Sequence, residues 1–342
     1  TCSHISGLDI ITMKNIIPII ILTLILSSCK TNLNKHYKNE NIPIETKTRI
    51  DELNVLIINS IKENKTKSIK SILSENLIKK IGISKIDSIF SHISPIVRNK
   101  KFKEKDSYYV VNTNSNISNT ILSGSNKEID YSLTYTALNE KMFISLFKTT
   151  NLEDNLLLTL IYGLDKKGTW KLNIFHVGQY ETFDKNFPQY YNISKTELEK
   201  KHLINAASNL HAGKQVIKPA REILKYQIEK DFFELEKKVF NQINKEYRFP
   251  IIVKNMETNP EIFNLYPQRS DEGFSTMIRY KTAIDLKDII NLKKENLKLQ
   301  KNIESIFKGI TKNKYIFYRA YAEFPNEKGK NYNYYGFVQE LK

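Results

Sequence analysis

Beyond residue 46 the apolar side chains recur first with a helical period and then with a strand period. Ile50, Leu53, Ile57 and Ile61 fall three or four residues apart, as do Ile69, Leu73 and Leu77, so each set predicts one helical face. A third, short helix is expected where Ser84 can cap and Asp87 follows three later, with Ile86, Ile89, Phe90 and Ile93 as its apolar face and Pro95 as its stop. Then the period becomes two. Large apolar side chains alternate with small hydroxyls in Tyr131-Ser132-Leu133-Thr134-Tyr135-Thr136, which predicts a half-buried antiparallel strand. Residues 142–147 and 156–164 predict two more strands, and Asp165-Lys166-Lys167-Gly168 a turn whose glycine takes positive φ cheaply. A fourth strand, 169–177, is expected to place Trp170, Leu172 and Ile174 on one face, extended by His176.

Phe187-Pro188 interrupts both periods, and a join between two units is expected there. Ser194 followed by Glu197 has the spacing of a capping box and predicts a helix through about Gly213. After Pro219 the spacing of Ala220, Leu224, Ile228, Phe232, Leu235, Val239, Ile243 and Tyr247 predicts one long amphipathic helix stopped by Phe249-Pro250. A strand over 276–284, a helix over 286–310 and closing strands over 315–324 and 332–341 complete the reading. The fold class is α+β: helices packed on an antiparallel sheet over 47–187, then a second, helix-rich α+β domain over 190–342, a helical pair plus a small α+β unit.

The segment Tyr162-Gly163-Leu164-Asp165-Lys166-Lys167-Gly168-Thr169-Trp170-Lys171-Leu172 resembles the last hairpin of the NTF2-like (cystatin-like) superfamily, in which a glycine turn precedes a tryptophan, a basic residue and an aliphatic one. The resemblance implies a curved sheet wrapped on a long helix over 47–187, often with a cone-shaped pocket. Tyr131, Tyr135, Trp170 and His176 are the candidates to line that pocket or its core. No catalytic residue is implied, because the superfamily hosts enzymes and inert binders alike.

The amino terminus changes the picture most. Met13, the basic Lys14, an apolar run over 16–26 and then small residues have the order of a secretory signal peptide. The run is about eleven residues, against roughly 20 needed to span a bilayer. Its end, Leu26-Ser27-Ser28-Cys29, resembles the bacterial lipobox, which implies a diacylglyceryl thioether on Cys29 and cleavage before it. Residues 1–28 are then an upstream extension plus signal peptide, and 29–46, polar and containing Pro43, a flexible tether. Lys30 is not the aspartate that favours inner-membrane retention, so the expected address is the cell envelope, at the outer membrane. The membrane is a partner through the lipid, and an unidentified protein or small ligand is the other.

Length and composition fit about two globular domains: 342 residues, 40% hydrophobic and 26% charged. The net charge of +16 is lysine spread among asparagine and isoleucine, which AT-rich codons produce without selection for an anionic partner. Tyr315, Phe317, Tyr318, Tyr321, Tyr332, Tyr334, Tyr335 and Phe337 cluster beside lysines, a composition that stacks nucleobases. It is equally that of ordinary strands, and with an export signal no nucleic acid is expected. Cys2 and Cys29 cannot staple a core. His36, His92, His176, His202 and His211 form no metal motif; His202 and His211, nine residues apart, would sit on opposite faces of one helix. Ser123-Gly124-Ser125 is no nucleophile elbow, Asp271-Glu272-Gly273 reads as a solvated turn, and no metal or cofactor is expected. The function expected is a non-catalytic binding or interaction module. An envelope enzyme with its site in the cone, or a structural lipoprotein, are the alternatives.

Overall fold

A computed structural model describes residues 34–325 and 331–341. Cys29 and the signal segment lie outside the described residues. The chain begins with β1 (Lys35–Lys38), then α1 (Ile44–Lys62), α2 (Glu75–Ile81) and α3 (Ile83–Val97). The strands β2 (Phe102–Val111), β3 (Ile117–Leu122), β4 (Tyr131–Ala137), β5 (Lys141–Thr149), β6 (Leu156–Leu164) and β7 (Trp170–Gln179) follow. Beyond them come α4 (Phe187–Glu199), α5 (Leu203–Val216), β8 (Leu224–Tyr226), α6 (Glu229–Glu246), β9 (Ile251–Ile252), β10 (Glu261–Ser270), β11 (Gly273–Lys281), α7 (Ile289–Ile306), β12 (Tyr315–Tyr321) and β13 (Tyr334–Glu340). The fold is α+β, with three sheets of order β1-β2-β5-β6-β7, β3-β4-β8 and β13-β12-β11-β10-β9. The pairings between these strands are antiparallel except β11 with β12, which α7 joins as a crossover helix.

The first sheet is a middle layer. One face buries Tyr109, Phe143, Leu158, Leu160, Tyr162, Trp170 and Leu172 under α1–α3, whose Ile50, Leu53, Ile57, Ile86 and Phe90 point inward. Asn54 fixes α1 on that face: its amide donates to Ser145 Oγ at 3.0 Å and its carbonyl accepts from Tyr162 Oη at 2.8 Å. The opposite face, with Tyr108, Val110, Met142, Ile144, Leu146, Leu157 and Ile161, belongs to a second core. That core continues through Leu133 and Tyr226 of the small sheet, the α4–α6 helices, and Ile278 and Tyr318 of the third sheet.

Several expectations are corrected. Lys35–Lys38, expected in the tether, pairs antiparallel with 108–111, because its backbone completes the edge of β2; Ile42 is buried and α1 starts at Ile44, behind Pro43. Ile69, Leu73 and Leu77 do not share a helix: Ile69 lies in a 3₁₀ segment, Leu73 bridges to Leu172, and Ser74 caps α2 by accepting from Leu77 N–H. Pro95 sits inside the last turn of α3, which runs on to Val97. The capping box is Asn186 with Gln189, and Pro188 starts α4 instead of interrupting it. Ser194 is buried in mid-helix, its hydroxyl donating to the Tyr190 carbonyl. Ala220 and Leu224 are not helical: Leu224–Tyr226 is β8, paired with 131–133 of β4.

That pairing bears on the join expected near 187–190. A strand from one side completes a sheet begun on the other, and a single apolar core runs across the position. The β10–β11 hairpin adds a polar tie. Arg269 bonds Glu153 at 2.6 Å, Asp154 at 3.0 Å and Thr182 at 3.1 Å, and stacks 4.4 Å above the Phe183 ring.

Candidate functional site

Bulges decide where the singled-out side chains point. In β7 the pairing steps from Ile161↔Ile174 to Tyr162↔Leu172, so Asn173 is an extra residue. Trp170 and Leu172 therefore face α1–α3, while Ile174 and His176 turn to the other side, against the expectation of one shared face. Trp170 is 9% exposed, packed edge-on against Tyr109 and Phe143 at 6.4 and 6.5 Å. It lines a closed core.

Tyr131 is also enclosed, in a polar knot between the first two sheets. A bulge at Lys105 aims Asp106 inward, where the Tyr131 hydroxyl donates to it and Lys105 and Lys38 bind it at 3.0 and 3.2 Å. Tyr108 Oη lies 3.1 Å from Tyr131 Oη. Burial alone would raise the Asp106 carboxyl. Lys105, the Tyr131 hydroxyl and Lys38 outweigh it and hold the group below its ordinary value, while burial pushes both phenols up, so they remain donors.

Tyr135 and His176 do come together. They line a cleft of about 520 Å³ between α2, β4, β7 and the irregular chain over 220–223. Its walls are Leu77, Ile81, Leu138, Ile174, Phe175 and Ile223. Its charged groups are Lys80, Arg221 and Glu222, but Glu222 is drawn to Lys218 at 2.6 Å. Lys80 and Arg221 make no ion pair with the described residues. Arg221 is held at φ 52°, a left-handed conformation that a long side chain rarely adopts and that recurs at ligand clamps. Burial and the Arg221 charge keep His176 below its ordinary range, so the ring is neutral near pH 7 and hydrogen-bonded to the Pro219 carbonyl. Asn119 donates to Tyr135 Oη at 3.2 Å, and burial pushes that phenol up to about 12. Gly178 lets the Pro219 carbonyl approach: a Cβ there would lie 2.3 Å from that oxygen. The result is an apolar trough with two cations at its mouth that have no ion-pair partner among the described residues, and the neutral Tyr135 and His176 on its wall. It has no carboxylate pair and no activated nucleophile, and so suits binding more than acid–base chemistry.

Tyr135 and His176 are candidates from sequence; Lys80 and Arg221 are not. Lys80 sits on a helix and Arg221 in a stretch that reads as helix, and only the tertiary fold brings them to the cleft. His202 precedes α5, its Nδ1 2.9 Å from a Glu197 oxygen, so it shares no helix with His211. Among the described residues no group of three or more His, Cys, Asp or Glu is placed to hold a metal ion, and no helix is long and apolar enough to cross a membrane. Comparison of the chain with protein-family models, curated proteins and solved structures gives no match.

Proposed function

We propose that the chain is a bacterial cell-envelope lipoprotein, anchored through lipid on Cys29, whose body binds an apolar molecule bearing a carboxylate. The observation that carries the ligand reading is the cleft of Tyr135 and His176, where apolar walls meet two cations that have no ion-pair partner among the described residues. An aliphatic or aromatic body would displace water from Leu77, Ile81, Ile174 and Phe175, and its carboxylate would take bidentate hydrogen bonds from Arg221. The anchoring reading rests on the order Met13, Lys14, apolar run, Leu26-Ser27-Ser28-Cys29. The NTF2-like reading of 47–187 is supported by α1–α3 on one face of an antiparallel sheet that ends in the Gly168 hairpin. The cleft opens at the β7 edge, however, and the sheet's other face is closed by β3, β4 and β8.

Two measurements test the two halves. Calorimetry with dodecanoate as probe is expected to give saturable binding that weakens at least tenfold in Arg221→Gln, about the worth of one charge-assisted contact. Arg221 is exposed, so the variant keeps its fold. Equal affinity for variant and parent would sink the ligand reading. In a bacterial host fed labelled palmitate, the chain translated from Met13 is expected to carry label in the membrane fraction and to lose it in Cys29→Ser. Label that survives the substitution removes the anchor from Cys29.

A further inference from the structure

The third sheet carries aromatic side chains on both faces. Ile278, Tyr280, Ile316, Tyr318 and Ala320 turn to one side and share a core with Leu292, Leu299 and Ile303 of α7. The alternate positions turn the other way. Tyr266, Met277, Phe317, Tyr321, Tyr334 and Val338 belong to neither of the two hydrophobic cores, and Tyr334 and Val338 are 48% and 59% exposed. Between these side chains runs a row of positive charge. Register sets Arg279 of β11 directly beside Arg319 of β12, with the backbones about one strand spacing (roughly 4.8 Å) apart. Like charges directly opposite on neighbouring strands repel, yet neither guanidinium has an ion-pair or hydrogen-bond partner among the described residues. Each is steadied instead by a tyrosine on the outer side of the pair. Arg279 lies 4.5 Å from the ring centroid of Tyr266 on β10, and Arg319 lies 4.4 Å from that of Tyr334 on β13. Of the Arg279 guanidinium nitrogens only Nε is enclosed, so the forked end reaches solvent. Beside Arg319 stands Gly336, where an added Cβ would meet nothing nearer than 4.0 Å, so the row is open at that end. Lys281, the next basic side chain on the same face of β11, is by contrast held by Glu261 at 3.0 Å. Composition does not produce the pair, since only seven of the 53 Lys and Arg side chains are arginine.

We infer that this face binds a phosphate monoester carried on a planar ring, with the phosphate clamped between Arg279 and Arg319 and the ring lying on the aromatic side chains beside them. Charge complementarity names an anion, and the number of guanidinium forks names its shape. One fork takes both oxygens of a carboxylate, which would leave the second arginine with nothing. A phosphate monoester offers three acceptor oxygens and close to two negative charges at neutral pH, enough for both forks. Phe317 on one side of the row and Tyr334 on the other give a ring apolar surface to cover. The face lies on a different sheet from the Arg221 cleft and shares no residue with it.

The probes are phenyl phosphate, benzoate and inorganic phosphate, titrated by ligand-observed NMR on the full chain. The chain carries Arg221→Gln throughout, so that anion binding at the other cleft does not enter. Phenyl phosphate is expected to bind saturably. Benzoate lacks the third oxygen and inorganic phosphate lacks the ring, and each is expected to bind at least about tenfold more weakly. Adding Arg319→Gln is expected to weaken phenyl phosphate by about tenfold or more, the worth of one charge-assisted contact. Arg319→Lys keeps the charge and loses the fork, and should weaken it as well. Gly336→Glu places a carboxylate beside Arg319 and should displace the ligand with both arginines intact. Gly336 has room for a side chain and no positive φ, so this variant serves should those at Arg319 melt early. No saturable binding of phenyl phosphate, benzoate bound as tightly, or full affinity in Arg319→Lys or Gly336→Glu overturns the assignment. So does an oligothymidylate without a terminal phosphate that binds more tightly than phenyl phosphate, because the face would then be a platform for phosphodiesters.

Discussion

Trp170→Ala is expected to lower the free energy of unfolding by about 3–5 kcal/mol, the range for deleting a large aromatic from a packed core. The indole has rigid neighbours, Tyr109 and Phe143 on the same sheet, both held from behind by α1–α3. Those strands cannot collapse into the vacated space without breaking β2–β5 pairing, so the cavity persists and its cost adds to the lost transfer energy. Trp170 is the chain's only tryptophan, so the comparison uses urea unfolding followed by far-UV circular dichroism. The parent's emission should be blue-shifted and resist iodide. A loss below about 1 kcal/mol would mean the side chain was never part of a tight core.

The second large effect concerns Asp106. Asp106→Asn removes the carboxylate that Lys38, Lys105 and the Tyr131 hydroxyl share and leaves two cations facing an amide. Breaking such a buried pair costs about 3–5 kcal/mol, and the lower end applies because Lys38 and Lys105 keep 36% and 25% of their side-chain surface in water. The effect carries a pH signature. The folded carboxyl titrates below its ordinary 3.8, so its stabilisation is complete above that value and drains away as pH falls through the depressed folded pKa. Parent and variant should therefore differ fully at pH 6 and converge below about pH 4. A difference that stays constant down to pH 3 would trace the loss to packing and not to the charge.

What the sequence made legible follows how local each signal is. The strand at 156–164 carries its own period and turn, and it is observed with those bounds. The neighbouring strand was legible in extent, but Asn173 bulges without any mark in composition, and that one residue sends Ile174 and His176 to the opposite face. Ala220, Leu224 and Ile228 keep helical spacing, yet Leu224 and Tyr226 are worth more as partners of β4, where each buries fully, than as one face of a solvent-side helix. Pro188 reads as an interruption or as a helix start depending on a cap two residues earlier, at Asn186. The candidate sites were the least legible. Arg221 with Lys80, and Arg279 with Arg319, meet only through packing or pairing between distant elements, and no single-chain periodicity encodes that meeting.

The three residues of β8 set an order of events during synthesis. The β3–β4 hairpin can form as soon as residue 137 emerges, but its third strand lies about 95 residues downstream of its partner on β4. At ribosomal speeds that interval lasts roughly 5–20 s. Over its second half, once β7 has emerged at residue 179, Tyr131, Leu133 and the inner face of the first sheet still lack their full cover, while every element of the α1–α3 side has been made. The nascent chain is thus a half-finished sandwich with one dry face and one sticky one. Such a chain presents that apolar face to its surroundings until Leu224–Tyr226 arrives, and the small sheet closes only then.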